Sequence, residues 1–170
     1  IIPIASSDKE IFEIFSTIKP LVKLGGKTMI ETFIHNFKFD YEYIFLCKQK
    51  DLIETDLLKV IRNLKIKKKI VSINKDTSSV IETLYFAKKF VGINEEVLIC
   101  HPDNINLFFS KQAFQKKLKQ NKSDGLLLAF DEDSQTNTVE THTGRATVEE
   151  NKILKIIEKS IKTENSKRLA

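Results

Sequence analysis

Apolar residues in this chain fall into short solid runs separated by longer stretches with helical spacing. "IIPIA" (1–5), "YIFLC" (43–47), "KIVSI" (69–73), "EVLIC" (96–100) and "GLLLAF" (125–130) have strand length and are rich in β-branched or aromatic residues. Several are apolar throughout, as in strands covered on both faces. Between them, "TMIETFIHNF" sets Ile30, Phe33, Ile34 and Phe37 on one stripe. "DLIETDLLKVIRNL" repeats this with Ile53, Leu57, Val60, Ile61 and Leu64, and "SSVIETLYFAKKF" with Ile81, Leu84, Tyr85 and Phe90. Ser78 or Ser79 with Glu82 has the spacing of a capping box at that third helix. "SKQAFQKKLKQN" follows the fourth strand in the same way. The alternation predicts an α/β fold of three layers, with a doubly wound, mostly parallel sheet and right-handed crossovers.

After Phe130 the rhythm changes. "DEDSQTNT" is polar and reads as a loop, and "RATVEENKILKIIEK" as two alternating strands joined at Glu150-Asn151, a hairpin over 145–158. The tail "SIKTENSKRLA" is given no partner element within the chain.

At 170 residues, 41% of them hydrophobic and 30% charged, the chain is expected to be one globular domain, 1–170. No stretch approaches the ~18 apolar residues of a membrane span, and no signal-peptide pattern opens it, so a membrane is not an expected partner. Cys47 and Cys100 both sit in apolar runs, which suits buried thiols and a reducing cytoplasm better than a disulfide. The net charge of +5 fits a polyanionic ligand, but the lysines are scattered. Their densest run, "KIKKK" at 65–69, reads as a solvated surface turn, and no aromatic basic stripe accompanies it, so nucleic acid is not expected either. His35, His101 and His142 are too far apart to suggest zinc, and His35 is read as helix surface.

In a doubly wound sheet, ligands bind at the carboxyl ends of the strands near the switch point. That rule selects Ala5, Ser6, Ser7 and Asp8 with Lys19, then "NKDTSS" (74–79), then His101, Pro102, Asp103 and Asn104, with Glu158-Lys159 as a further wall. Gly25-Gly26, flanked by lysines in "LVKLGGKTMIE", is either a tight turn into a helix or a loop facing a phosphate. Plainer readings stand beside these. Lys19-Pro20 alone signals an extended loop, Asp103-Asn104 a loop opener or cap, and Glu158-Lys159 solvent-facing strand residues.

Four segments together resemble the sugar-phosphate nucleotidyltransferases, the sugar-nucleotide pyrophosphorylases. "IIPIA…KPLVKLGGKTMIE" looks like that family's opening, "P-x-A-G-x-G-x-R" followed by "P-K-P-L-x-x-x-x-G-K-P-M-I-E". "TSSVIETLYFAKKF" resembles its "G-A-A-E-T-x-x-x-A", "VLICHPDNI" its "x-L-I-x-x-x-D-x-x", and "ILKIIEKS" its "V-x-x-I-x-E-K-P". They occur in the family's order across most of the chain. The resemblance implies a Rossmann-like, GT-A-like fold and nucleotidyl transfer from a nucleoside triphosphate to a sugar 1-phosphate, with release of pyrophosphate, in polysaccharide precursor synthesis. It implies that Lys19 and Asp103 are catalytic, Lys19 on the phosphates and Asp103 holding Mg²⁺. Ala5, Ser6, Ser7, Thr77, Ser78 and Ser79 would bind nucleotide, and Gly144, Glu158 and Lys159 the sugar phosphate. A homo-oligomer is also left open.

Two departures qualify the expectation. "ASSDKEIF" stands where the family has a glycine-rich loop ending in arginine, so Asp8 and Glu10 lie where a triphosphate should. The family's second metal-binding aspartate would fall beyond Ala170, so the domain is expected to be incomplete at its C-terminus. The alternative is a catalytically degenerate binding or regulatory module of the same fold.

Overall fold

The computed structural model describes residues 1–5, 9–37, 39–103, 110–120, 127, 129–130, 145–149, 152–157 and 166–169. The chain forms two compact units, Ile1–Phe109 and Ser110–Ala170. In chain order the first contains β1 (Ile2–Ile4), α1 (Lys9–Phe15), β2 (Lys23–Leu24), β3 (Lys27–Thr28) and α2 (Met29–Asn36). It continues through β4 (Tyr43–Lys48), α3 (Gln49–Glu54), α4 (Leu57–Asn63), β5 (Lys68–Ile73) and α5 (Val80–Tyr85). Short 3₁₀ turns lie at Lys19–Leu21 and Lys88–Phe90.

β1, β4 and β5 form a parallel sheet in the order β1-β4-β5, with Ile4 beside Cys47 and Cys47 beside Ser72. Successive side chains of a strand point to opposite faces. Ile44 and Leu46 therefore serve one face, where they pack with Ala5, Ile73 and Ala87. Phe45 and Cys47 serve the other and are equally buried. A sheet apolar on both faces is the parallel, helix-covered kind that the solid run "YIFLC" predicts.

The helices follow the predicted pattern unevenly. α2 buries Ile30, Phe33 and Ile34, with Phe37 buried just beyond it and stacked on Phe33. The single helix expected over 51–64 is two. Thr55 bonds the Asp51 carbonyl through its hydroxyl and accepts from Leu57 N–H, a local bond that competes with the helical ladder and breaks it. Ile53, placed on the predicted stripe, is consequently exposed. In α5 the buried face is only partly the predicted one: Leu84 and Phe90 pack against the core as expected, with Thr83 and Ala87 buried beside them, while Ile81 and Tyr85 face out. The small residues are the most deeply buried, and Leu84 and Phe86 pack beside them.

The run at 96–100 is not a regular strand. Ile1 N donates to the Leu98 carbonyl at 2.6 Å and Cys100 N–H to the Ile1 carbonyl at 3.0 Å. That is one rung of parallel pairing, with Ile1 opposite Ile99. Val97 and Ile99 are exposed, and Cys100 is only partly buried, whereas Cys47 is fully buried; both cysteines are free. His35 is exposed on α2, as read.

The second unit holds α6 (Lys111–Gln120), β6 (Ala129–Phe130), β7 (Arg145–Glu149), β8 (Lys152–Ile157) and β9 (Ser166–Leu169). Its antiparallel sheet runs β6-β9-β7-β8. The predicted hairpin is β7–β8, with Glu149 opposite Lys152 and a bulge between Thr147 and Val148. The tail does find a partner, because β9 lies between β6 and β7. Main-chain bonds make that pairing, and "SKRL" offers no apolar alternation to announce it.

Candidate functional site

With the 96–100 segment on the free edge of β1, the parallel pairings run β5, β4, β1, then 96–100. The chain thus winds one way from β1 to β5 and crosses to the other side of β1 for its next pairing. That reversal is the switch point of a doubly wound sheet, where ligands bind beyond the carboxyl ends.

Lys19 and Asp103 meet there. Lys19 opens a 3₁₀ turn in which Pro20 is buried and Val22 N–H donates to the Lys19 carbonyl at 3.2 Å, which fixes the backbone. Asp103 follows buried Pro102 in the turn after 96–100. Lys19 Nζ lies 2.8 Å from Asp103 Oδ2, with the two side chains 34% and 35% exposed, so the pair is reachable from solvent.

The Gly25-Gly26 stretch does a separate job. Both glycines have positive φ, 57° and 86°, as the two central residues of the β2–β3 hairpin, whose ends pair Leu24 with Lys27. Two such residues make the tight hairpin turn that Gly-Gly favours. A Cβ at either would meet nothing within 4 Å, so the need is for the backbone conformation alone. The hairpin delivers Thr28, which accepts from Glu31 N–H at 3.3 Å, while the Glu31 carboxylate takes Thr28 N–H at 2.8 Å, a complete capping box.

The loop after β5 is closely tied. Ser78 donates to the Glu82 carboxylate through N–H at 2.8 Å and hydroxyl at 2.9 Å, and Lys75 Nζ reaches it at 2.9 Å. Those contacts, the Ser78 backbone N–H first, pull the Glu82 carboxyl down to about 2. Ser79 caps α5 by accepting from Glu82 N–H, and the Thr77 hydroxyl pairs with that of Thr83 at 2.6 Å. The hydroxyls of Thr77, Ser78 and Ser79 are thus engaged within their own loop. Ala5 is buried at the end of β1. Ser6, Ser7, Asp8, Asn104, Gly144, Glu158 and Lys159 lie outside the described residues.

One cation at this edge was not among the residues read from sequence. Lys48, the first polar residue after "YIFLC", ends β4 and places Nζ 2.6 Å from Asp76 Oδ1. The Lys48 hydrogen bond and charge hold the Asp76 carboxyl below its usual range. Asp51 beside it is raised by burial, against the pull of Lys48 and Lys50. The signal was available: a charged residue directly follows a solid apolar run, as Asp103 closely follows "VLIC".

Among the described residues no group of three or more His, Cys, Asp and Glu side chains could hold a metal by itself. Asp103 alone offers a hard oxygen donor, which suits Mg²⁺ only where substrate phosphates and water complete the shell. No helix of the described residues is long and apolar enough to cross a membrane.

No family model matches the chain, and no curated protein does. Solved structures do. One is a protein from Bacillus anthracis assigned as a glucose-1-phosphate thymidylyltransferase, in complex with a sucrose (TM-score 0.75, 18% identity, 99% of this chain and 67% of that one). Another is the inositol-1-phosphate CTP transferase of T. maritima (0.65, 17%, 98% and 66%). A third is the nucleoside-diphosphate-sugar pyrophosphorylase of Vibrio cholerae RC9 (0.62, 16%, 99% and 72%). The chain has the fold of these nucleotidyltransferases and spans about two thirds of their length.

Proposed function

We propose that the site of Lys19 and Asp103 binds a nucleoside triphosphate and a sugar 1-phosphate and supports nucleotidyl transfer between them. The observation that carries this reading is the 2.8 Å Lys19–Asp103 pair at the switch point, on a fold shared with nucleotidyltransferases. An oxygen of the sugar phosphate attacks the α-phosphorus, and the bond from that phosphorus to the bridging oxygen breaks as pyrophosphate leaves. Lys19 would stabilise charge on the phosphates, and Asp103 together with phosphate oxygens would hold Mg²⁺, which would supply charge neutralisation there. The nucleotide-binding role is proposed for Ala5, Ser6, Ser7 and residues 77–79, and the sugar-phosphate role for Gly144, Glu158 and Lys159. Free thiols at Cys47 and Cys100 suit a cytoplasmic setting.

A second reading, a binding or regulatory module with weak turnover, is favoured by one feature. α1 already begins at Lys9, which leaves three residues between Ala5 and the helix, and they carry neither glycine nor arginine. Pyrophosphate release, assayed with the full-length protein across common nucleoside triphosphates and hexose 1-phosphates, separates the two. The altered loop predicts slow turnover or none. Turnover near ~1 per second, ordinary for an enzyme, would restore the full enzyme, and Lys19→Met should then lower it about 100-fold.

A further inference from the structure

Resting on the proposed function, we infer that Lys48 is a second cation for the triphosphate, standing in for the positive charge that the loop after β1 lacks. β1 and β4 pair in register through Ile4 and Cys47. The next residues, Ala5 and Lys48, therefore leave the sheet side by side at its carboxyl edge. Alternation along β4 sets Lys48 on the same face as Ile44 and Leu46, the face to which Ala5 and Ile73 also belong. The backbone of Lys48 thus stands beside the start of the segment whose sequence, Ser6-Ser7-Asp8, offers no cation before Lys9, while its ammonium is held at Asp76 in the loop after β5.

The state of the side chain fits a ligand contact better than a structural brace. Lys48 is 18% exposed, whereas Asp76 is 89% exposed. A brace between two elements is worth most when both partners are withdrawn from water, and a carboxylate this exposed holds its partner weakly. An incoming triphosphate offers more negative charge and more acceptor oxygens than Asp76. Lys48 can exchange one for the other. Asp76 then acts as a competitor that occupies the ammonium while the ligand is away.

A structural role and a ligand role give opposite signs at Asp76. If the pair merely ties β4 to the following loop, Lys48→Met and Asp76→Asn both loosen the site and both weaken binding. If Lys48 serves the ligand, Lys48→Met weakens binding and Asp76→Asn strengthens it. The experiment is calorimetric titration of the full-length protein with ATP, GTP, CTP, UTP and dTTP in Mg²⁺, followed by the corresponding nucleoside for whichever binds. Lys48→Met should lower triphosphate affinity about tenfold, the loss of one charge-assisted bond, and leave nucleoside affinity unchanged. Asp76→Asn should raise triphosphate affinity about threefold, the scale of one exposed ion pair, and Lys48→Arg should retain it. If Lys48→Met does not fold, judged by its thermal transition, Asp76→Asn and Lys48→Arg still decide the sign. Both variants moving affinity downward, or neither moving it, overturns the role of Lys48 while leaving the proposed function intact. A wild-type protein that binds none of the five triphosphates overturns the proposed function and this role with it.

Discussion

Helices α2 and α5 open with the same device and put it to different use. Each has a hydroxyl cap and a glutamate three residues on, Thr28 with Glu31 and Ser79 with Glu82. Glu31 turns back to its own cap, and the helix behind it buries Ile30, Phe33 and Ile34. Glu82 instead holds Ser78 and Lys75 in the preceding loop, and the helix behind it leaves Ile81 and Tyr85 outside. The first arrangement stabilises the domain through packing. The second fixes a loop at the carboxyl edge of the sheet, and only one side of its helix joins the core. Identical capping chemistry therefore says where a helix begins, and the partners of the glutamate say what that beginning is for.

Substitutions sharpen the contrast in order of size. Phe33→Ala should cost about 4 kcal/mol, the usual range for a fully buried phenylalanine, and urea unfolding will read it. Gly26→Val forces a β-branched residue to a φ of 86° and should cost about 2 kcal/mol; equal stability would show that the hairpin turn has another form. Thr28→Ala removes a complete capping box and should cost about 1 kcal/mol. Ile81→Ser, on the exposed side of α5, should lie within about 0.5 kcal/mol of wild type. A loss there as large as that of Phe33→Ala would mean that α5 is packed as α2 is.

Titration separates the two glutamates further. Both are held below the ordinary carboxyl range, Glu31 chiefly by the Thr28 hydroxyl and Glu82 chiefly by Ser78 N–H. A depressed carboxyl gives stability that is complete above its unfolded value and is lost as the pH falls through the folded one. For Glu82 that window runs from 4.5 down to about 2. Carboxyl NMR should find its midpoint near the lower value. Ser78→Ala should raise that midpoint only partway, because the Ser78 N–H bond survives, and a return to the ordinary value would place the hydroxyl first.

Much of this was legible in the sequence, and each failure has its own cause. Long apolar runs such as "YIFLC" announce buried strands whatever surrounds them, and Thr28 with Glu31 marks its helix start locally. Reading by size failed at α5, where Thr83 and Ala87 face the sheet and the larger Ile81 does not. Reading by apolarity failed at β9, whose pairing is made by main-chain bonds. Of the site, Lys19 and Asp103 were visible because Lys19 opens one recognisable segment and Asp103 closely follows another, and the structure brings them together. Lys48 went unread although it directly follows "YIFLC", because no motif contains it and its place beside Ala5 comes from the register of β1 with β4.

The central claim is that Lys19 and Asp103 form a triphosphate site that works through Mg²⁺. Titration of the full-length protein with nucleoside triphosphates, with and without Mg²⁺ and beside Asp103→Asn and Lys19→Met, tests it most directly. The account predicts saturable binding of at least one triphosphate that weakens about tenfold or more without Mg²⁺ or in either variant. Binding of equal strength in all four conditions, or none in any, would contradict it.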